Sequence, residues 1–247
     1  MTVLVLGGTG EARALAQLLC DNGVDVVSSL AGRVRNPRLP AGAVRIGGFG
    51  GASGLEAYLR THGVDAVVDA THPFAEGISA NAAEACRAAR IPLVRLQRPG
   101  WTDDTGGWIR VACHDEAARV AAGGSGVFLT TGRQTLDRFV EPLGKHRVVV
   151  RIVDPLDGEF PPDWTVVHAR GPYTFDSERT LMREYDVDTL VTKDSGGDLT
   201  RAKLDAAADL GVRVIMVNRP VGPPGVRTVA TVGDAVAWVL EPPVSRI

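Results

Sequence analysis

Short apolar runs alternate with stretches of helical period along most of the chain. Val3 to Leu6 is uninterrupted apolar sequence, the pattern of a strand covered on both faces. Ala12, Leu15, Ala16 and Leu19 then recur at helical spacing, and Gly23 follows as a stop signal. The next strand is predicted at Asp25 to Leu30. Leu55, Tyr58, Leu59 and His62 predict a short helix, Gly63 ends it, and Val64 to Asp69 is a strand. Ile78, Ala82, Ala85, Cys86 and Ala89 line another helix before a strand at Leu93 to Leu96. Residues 31–42 break the alternation with two prolines and no helical period, and read as a basic loop before a strand at Val44 to Gly47.

Residues 97–110 are polar and rich in turn formers, which marks a link between two domains, 1–97 and 98–247. Beyond it the alternation resumes. Helices are predicted at 114–122, 134–141, 176–185, 199–210 and 232–240, and strands at 127–131, 147–153, 165–169, 188–192 and 212–217. Strand–helix alternation implies an α/β class with mostly parallel sheets and helices on both faces.

The charge balance narrows the function classes. With 27 basic and 29 acidic residues the net charge is −2, which argues against a nucleic-acid partner bound through phosphate neutralisation. No apolar run approaches the roughly 20 residues of a membrane helix. The apolar N-terminus lacks a basic start and is interrupted by Gly7, Gly8, Gly10, Glu11 and Arg13, so it does not read as a secretory signal. A cytoplasmic monomer without membrane partners is the expectation. Cys20, Cys86 and Cys113 are widely spaced, with Cys20 and Cys86 expected as buried free thiols, and no Cys/His cluster has metal-ligand spacing. Lysine is scarce: Lys145, Lys193 and Lys203 are the three.

The first candidate for chemistry is Gly7-Gly8-Thr9-Gly10-Glu11, which follows a predicted strand and opens a predicted helix. Glycines admit a sharp turn and close approach of a pyrophosphate, and a helix N-terminus offers unpaired N–H groups. The match to G-x-G-x-x-G is imperfect, because counting from Gly8 places Arg13 last. NAD sites place an acid about 20 residues beyond the glycines. Here that region reads Ser28-Ser29-Leu30-Ala31-Gly32-Arg33. A guanidinium at Arg33 suits a 2′-phosphate, so NADPH is expected over NADH. Arg35 and Arg38 read as solvated loop residues.

Further motifs are Asp69-Ala70-Thr71-His72-Pro73-Phe74, Thr131-Gly132-Arg133, Arg170-Gly171-Pro172 and Thr192-Lys193-Asp194-Ser195-Gly196-Gly197. Together with the first glycine turn, and in this order through Arg219-Pro220, they resemble the precorrin-6A reductase family of cobalamin biosynthesis. The resemblance spans nearly the whole chain. It implies two Rossmann-like domains with an inter-domain cleft, and NADPH-dependent reduction of a macrocycle double bond of precorrin-6A to precorrin-6B. It also implies a tetrapyrrole substrate, met by positive side chains because such precursors carry many carboxylates.

On these readings the cofactor residues are Gly8, Thr9, Gly10, Glu11, Arg33, Thr71, His72 and Pro73. Arg133, Arg170, Lys193, Ser195, Gly196, Lys203 and Arg219 are the substrate residues. His72, Tyr173, Lys193 and Asp194 are candidates for supplying a proton, with solvent as the alternative. Simpler readings stand beside these: His72 as a helix-entry residue bonded to backbone, and Asp194 or Ser195 as a helix cap. Two rival functions remain open. One is another NADP-linked reductase or epimerase on the same scaffold. The other is a module that binds a nucleotide or tetrapyrrole without chemistry. No Tyr-x-x-x-Lys pair supports a short-chain dehydrogenase.

Overall fold

The computed structural model describes residues 1–32, 38–104, 106–155 and 160–241. The chain opens with β1 (Thr2–Leu6), α1 (Gly10–Asp21), β2 (Asp25–Leu30), β3 (Ala43–Ile46), α2 (Gly51–Thr61), β4 (Ala66–Asp69), α3 (Glu76–Ala89) and β5 (Leu93–Leu96). It continues with β6 (Ile109–Val111), α4 (His114–Ala121), β7 (Gly126–Leu129), α5 (Asp137–Leu143), β8 (Arg147–Ile152) and β9 (Trp164–His168). Then follow α6 (Phe175–Glu184), β10 (Thr189–Lys193), α7 (Ala202–Leu210), β11 (Arg213–Val217), β12 (Arg227–Val229) and α8 (Val232–Leu240). Short 3-10 turns at Arg133–Thr135 and Asp198–Thr200 precede α5 and α7. No helix among the described residues is long and apolar enough to cross a membrane.

The expected elements form, with two additions. β6 lies at the end of the segment read as a link, and β12 was not expected at all. The two strands have three residues each and no apolar run, so they depend on backbone pairing with neighbours rather than on a hydrophobic signature. The helix expected at 134–141 is a 3-10 turn followed by α5, which holds Pro142 inside it. Of the two thiols expected to be buried, Cys86 is; Cys20 is partly exposed on α1.

The chain divides into two compact units, one formed by Met1–Pro99 with the described residues from Pro220 onward, the other by Gly100–Arg219. This revises the boundary read from sequence, which placed all of 98–247 in the second domain. The chain returns because β12 pairs with β5, in register Val229 to Leu96, and because Trp238 of α8 is buried in the core beneath α1.

Each unit holds one six-stranded sheet in which every pairing is parallel. The first has the order β12-β5-β4-β1-β2-β3 and the second β6-β11-β10-β7-β8-β9. In the first, Val3, Leu4 and Val5 have no exposed surface, as required of a central strand covered on both faces. Val3, Val5, Leu15, Leu19 and Trp238 make the core on one side; Leu4, Leu6, Leu55, Leu59 and Cys86 make it on the other. In the second unit Phe128, Val149, Leu190, Met182 and Leu204 form the core under α6 and α7. The order in which successive strands are laid across the sheet reverses between β1 and β4 in the first unit, and between β7 and β10 in the second. In open parallel sheets, ligands bind outside the carboxyl ends of the strands at such points.

Candidate functional site

The glycine turn sits at the first of these switch points. Gly8 has φ +116°, a conformation L side chains rarely adopt, and a Cβ there would meet nothing within 4 Å. Thr9 caps α1, its hydroxyl accepting from the Ala12 N–H at 3.0 Å and donating to the Ala70 carbonyl at 2.8 Å. One side chain thus ties the loop after β1 to the loop after β4. Glu11 is paired with Arg98 at 2.8 Å, which offsets its charge beside the turn. Arg13, the departure from the glycine fingerprint, brings a guanidinium nitrogen within 3.7 Å of where a Gly10 Cβ would stand. A cation at the helix N-terminus reinforces an anion site.

The adjoining loop after β4 is built on Asp69, which is buried. Its carboxylate accepts from the Thr71 hydroxyl at 2.6 Å, the Thr71 N–H at 3.1 Å and the Ser79 hydroxyl at 2.6 Å, and Arg95 lies 3.7 Å away. Arg95 also donates to the Pro73 carbonyl at 3.3 Å. His72 Nδ1 accepts from the Phe74 N–H at 3.3 Å. Thr9, Thr71, Pro73 and Leu96 line a crevice there. The structure therefore brings together Gly8, Thr9, Gly10, Glu11, Thr71, His72 and Pro73 at one sheet edge. A bare turn, a capped helix N-terminus and a flanking guanidinium fit the pyrophosphate of a dinucleotide cofactor. Arg33 lies outside the described residues.

The second unit assembles the other candidates at the carboxyl edge of its own sheet. Arg133 follows β7, Arg170 follows β9, Ser195 and Gly196 follow β10, and Arg219 follows β11. Lys193 ends β10, and its Nζ is 3.9 Å from where a Cβ on Gly132 would stand, which places it over the loop after β7. Gly196 and Gly197 take positive φ, so the chain turns sharply there. Lys203, in the first turn of α7, is buried, donates to the Thr200 carbonyl at 2.6 Å and lies 4.6 Å above the Trp101 ring.

Two of the candidates for proton transfer are engaged in hydrogen bonds. Asp194 accepts from the Trp101 N–H at 2.9 Å and from Arg110 at 3.4 Å, while Arg219 Nε lies 3.9 Å from its carboxylate and donates to its carbonyl at 2.7 Å. The Tyr173 hydroxyl donates to the Ala169 carbonyl at 3.0 Å, and burial raises its pKa further.

Sequence reading missed Arg151 and Glu178, a buried ion pair joining β8 to α6. The Arg151 guanidinium lies 3.7 Å over the Tyr173 ring. A signal existed, because arginine interrupts the apolar run Val148-Val149-Val150-Arg151-Ile152, as Arg95 interrupts Leu93-Val94-Arg95-Leu96.

Burial lowers the Lys193 pKa to about 8; that of Lys203 is lowered to about 7, chiefly by burial, with the charges of Arg151 and Lys193 acting in the same direction and Glu178 opposing them. A lysine depressed in the fold binds fewer protons there than in the unfolded chain between about pH 7 and its ordinary 10.5, so its contribution to stability rises with pH across that window. The expected result is that Lys203→Met is most favoured relative to wild type below pH 7 and loses ground as pH rises. Thermal unfolding of both proteins across pH 6 to 10 measures it, and a pH-independent difference would contradict the assignment.

The family model described as Precorrin-6x reductase CbiJ/CobK matches residues 2–240. The chain is 53% identical to a precorrin-6A reductase of Rhodococcus erythropolis over 240 residues, 96% of each chain. It is 51% identical to that of Mycobacterium tuberculosis over the same span, again 96% of each. A solved structure titled CobK precorrin-6A reductase superposes with a TM-score of 0.89 at 41% identity, covering 97% of this chain and 96% of the other. With two parallel sheets, a glycine turn at one switch point and a basic edge at the other, this chain belongs to the precorrin-6x reductase family.

Proposed function

We propose that this protein reduces precorrin-6A to precorrin-6B with NADPH as hydride donor. The observation that carries the reading is the division of labour between two sheet edges, a bare glycine turn tied to the loop after β4 on one and a cluster of basic side chains on the other. Reduced nicotinamide supplies the hydride when bound. The turn at Gly8 and the N-terminus of α1 hold the pyrophosphate, and the Asp69–Thr71–Arg95 network keeps the neighbouring loop rigid. Arg133, Arg170 and Arg219 pair with substrate carboxylates, which fixes the macrocycle before transfer; Lys203, expected among them from sequence, is instead buried against the Trp101 ring and bonded to the Thr200 carbonyl.

Reduction of the double bond needs a proton as well as a hydride. Lys193 holds that proton in this proposal, since its pKa of about 8 leaves it mostly charged at neutral pH yet able to give the proton up. The nitrogen is then reprotonated from solvent. Asp194 and Tyr173 position the surrounding loops through the bonds given above, and His72 stays with the cofactor loop. The test is transfer from NADPH carrying deuterium at both hydrogen positions of nicotinamide C4. Deuterium in the precorrin-6B product supports the reading, and deuterium retained wholly in the nucleotide overturns it.

A further inference from the structure

The loop after β3 carries a second glycine-rich turn, Gly47-Gly48-Phe49-Gly50-Gly51, leading into α2. Gly47, Gly50 and Gly51 have positive φ, and a Cβ on any of these four glycines would meet nothing within 4 Å. Space therefore surrounds the turn. At its base stands Arg45, paired in register with Ser29 at the end of β2. The Arg45 guanidinium donates to the Ser29 hydroxyl at 2.8 Å and to the Gly47 and Gly48 carbonyls at 3.0 Å each. It lies 3.7 Å over the Phe49 ring and 5.3 Å from that of Tyr58.

We propose that Arg45 is the residue that selects a 2′-phosphorylated adenosine cofactor, its fixed guanidinium receiving the phosphomonoester at the carboxyl end of β2 and β3. This rests on the cofactor reading above. In a diol-reading site a carboxylate ends β2 and accepts from the ribose hydroxyls. Here β2 ends in Ser28-Ser29-Leu30, and the polar group nearest Ser29 is a cation. The three bonds named use two N–H groups of Nη1 and one of Nη2. The remaining two sit on Nε and Nη2, neighbouring nitrogens along one edge of the fork, the geometry that takes two oxygens of one phosphate. Stacking on Phe49 and the carbonyl bonds hold the group in place before ligand arrives, so little ordering is lost on binding.

The experiment is fluorescence titration of NADPH, NADH and 2′,5′-ADP into wild type, Arg45→Gln and Arg45→Lys, with unfolding temperatures taken without ligand. Wild type is expected to prefer NADPH. Arg45→Gln should weaken NADPH and 2′,5′-ADP by about 10- to 100-fold, the loss for a charge-assisted contact, and NADH by less than about threefold. Arg45→Lys keeps the charge and the cover over Phe49, so it should fold even if the glutamine variant does not, and it should show a smaller loss in the same direction. Equal weakening of NADPH and NADH would mean that Arg45 only braces the turn, and would overturn the proposal while leaving the cofactor reading intact, as would variants that keep the full preference. A wild-type chain that binds NADH as tightly as NADPH would overturn both.

Discussion

Replacing Lys193 by methionine is expected to lower kcat for precorrin-6A reduction by about 10²–10⁴-fold, the range for loss of a positioned general acid, with the NADPH Kd changed less than about twofold. The case is geometric first. Lys193 ends the central strand β10 and reaches over Gly132, so it stands at the second switch point, where loops from two diverging strands leave room for a ligand. In the proposed mechanism Asp194, engaged by Trp101 and Arg219, and Tyr173, whose hydroxyl donates to the Ala169 carbonyl, position loops. Because a lysine acid works only when charged, the wild-type rate should fall as pH rises through about 8. Lys193→Arg should keep substrate affinity but not the rate, since arginine does not release its proton. Single-turnover rates across this pH range check both points. A loss of less than about tenfold in Lys193→Met would assign the proton to solvent.

The largest effect on stability is expected at Glu178. Of the buried charged groups Arg151, Lys203 and Glu178, it alone is negative. Its removal leaves Arg151 without its ion-pair partner in a dry environment and takes away the one charge that opposes the depression of Lys203. Breaking one side of such a pair costs about 3–5 kcal/mol, whereas replacing both sides by apolar groups of similar volume is often neutral. Glu178→Leu should therefore unfold at markedly lower urea concentration, and Glu178→Leu/Arg151→Met should recover most of the difference. If the double variant is no more stable than the single one, the loss comes from packing of α6 rather than from the unpaired charge.

The repeating α/β pattern was legible because a strand covered on both faces must be wholly apolar, and Val3 to Leu6 is so written. Helix ends were legible for a similar reason: Gly23, Gly63 and Gly211 adopt the positive φ that stops a helix. The return of the chain to the first sheet was not. β12 is mostly exposed, and its bond from the Gln97 N–H to the Val229 carbonyl is made by backbone, which no side-chain pattern announces. Site residues divide in the same way. Motifs that follow strands fell at the carboxyl edges because parallel topology puts every such loop there. Long-range ties escaped: Thr9 to Ala70, Trp101 to Asp194 and Arg151 to Glu178 each join residues far apart in sequence. Arg45 escaped for a further reason. It reads as an ordinary polar position on a short outer strand until Ser29, Gly47 and Phe49 are seen around it.

The proposed reaction of this chain, a member of the precorrin-6x reductase family, is hydride transfer from NADPH to precorrin-6A. It is tested most directly by following NADPH oxidation by the purified protein with and without precorrin-6A, with mass spectrometry of the macrocycle. Oxidation that depends on precorrin-6A is expected, matched mole for mole by a product heavier by two hydrogen atoms. NADPH and precorrin-6A both bound tightly, with no oxidation and no change in mass, would contradict it and leave a binding module.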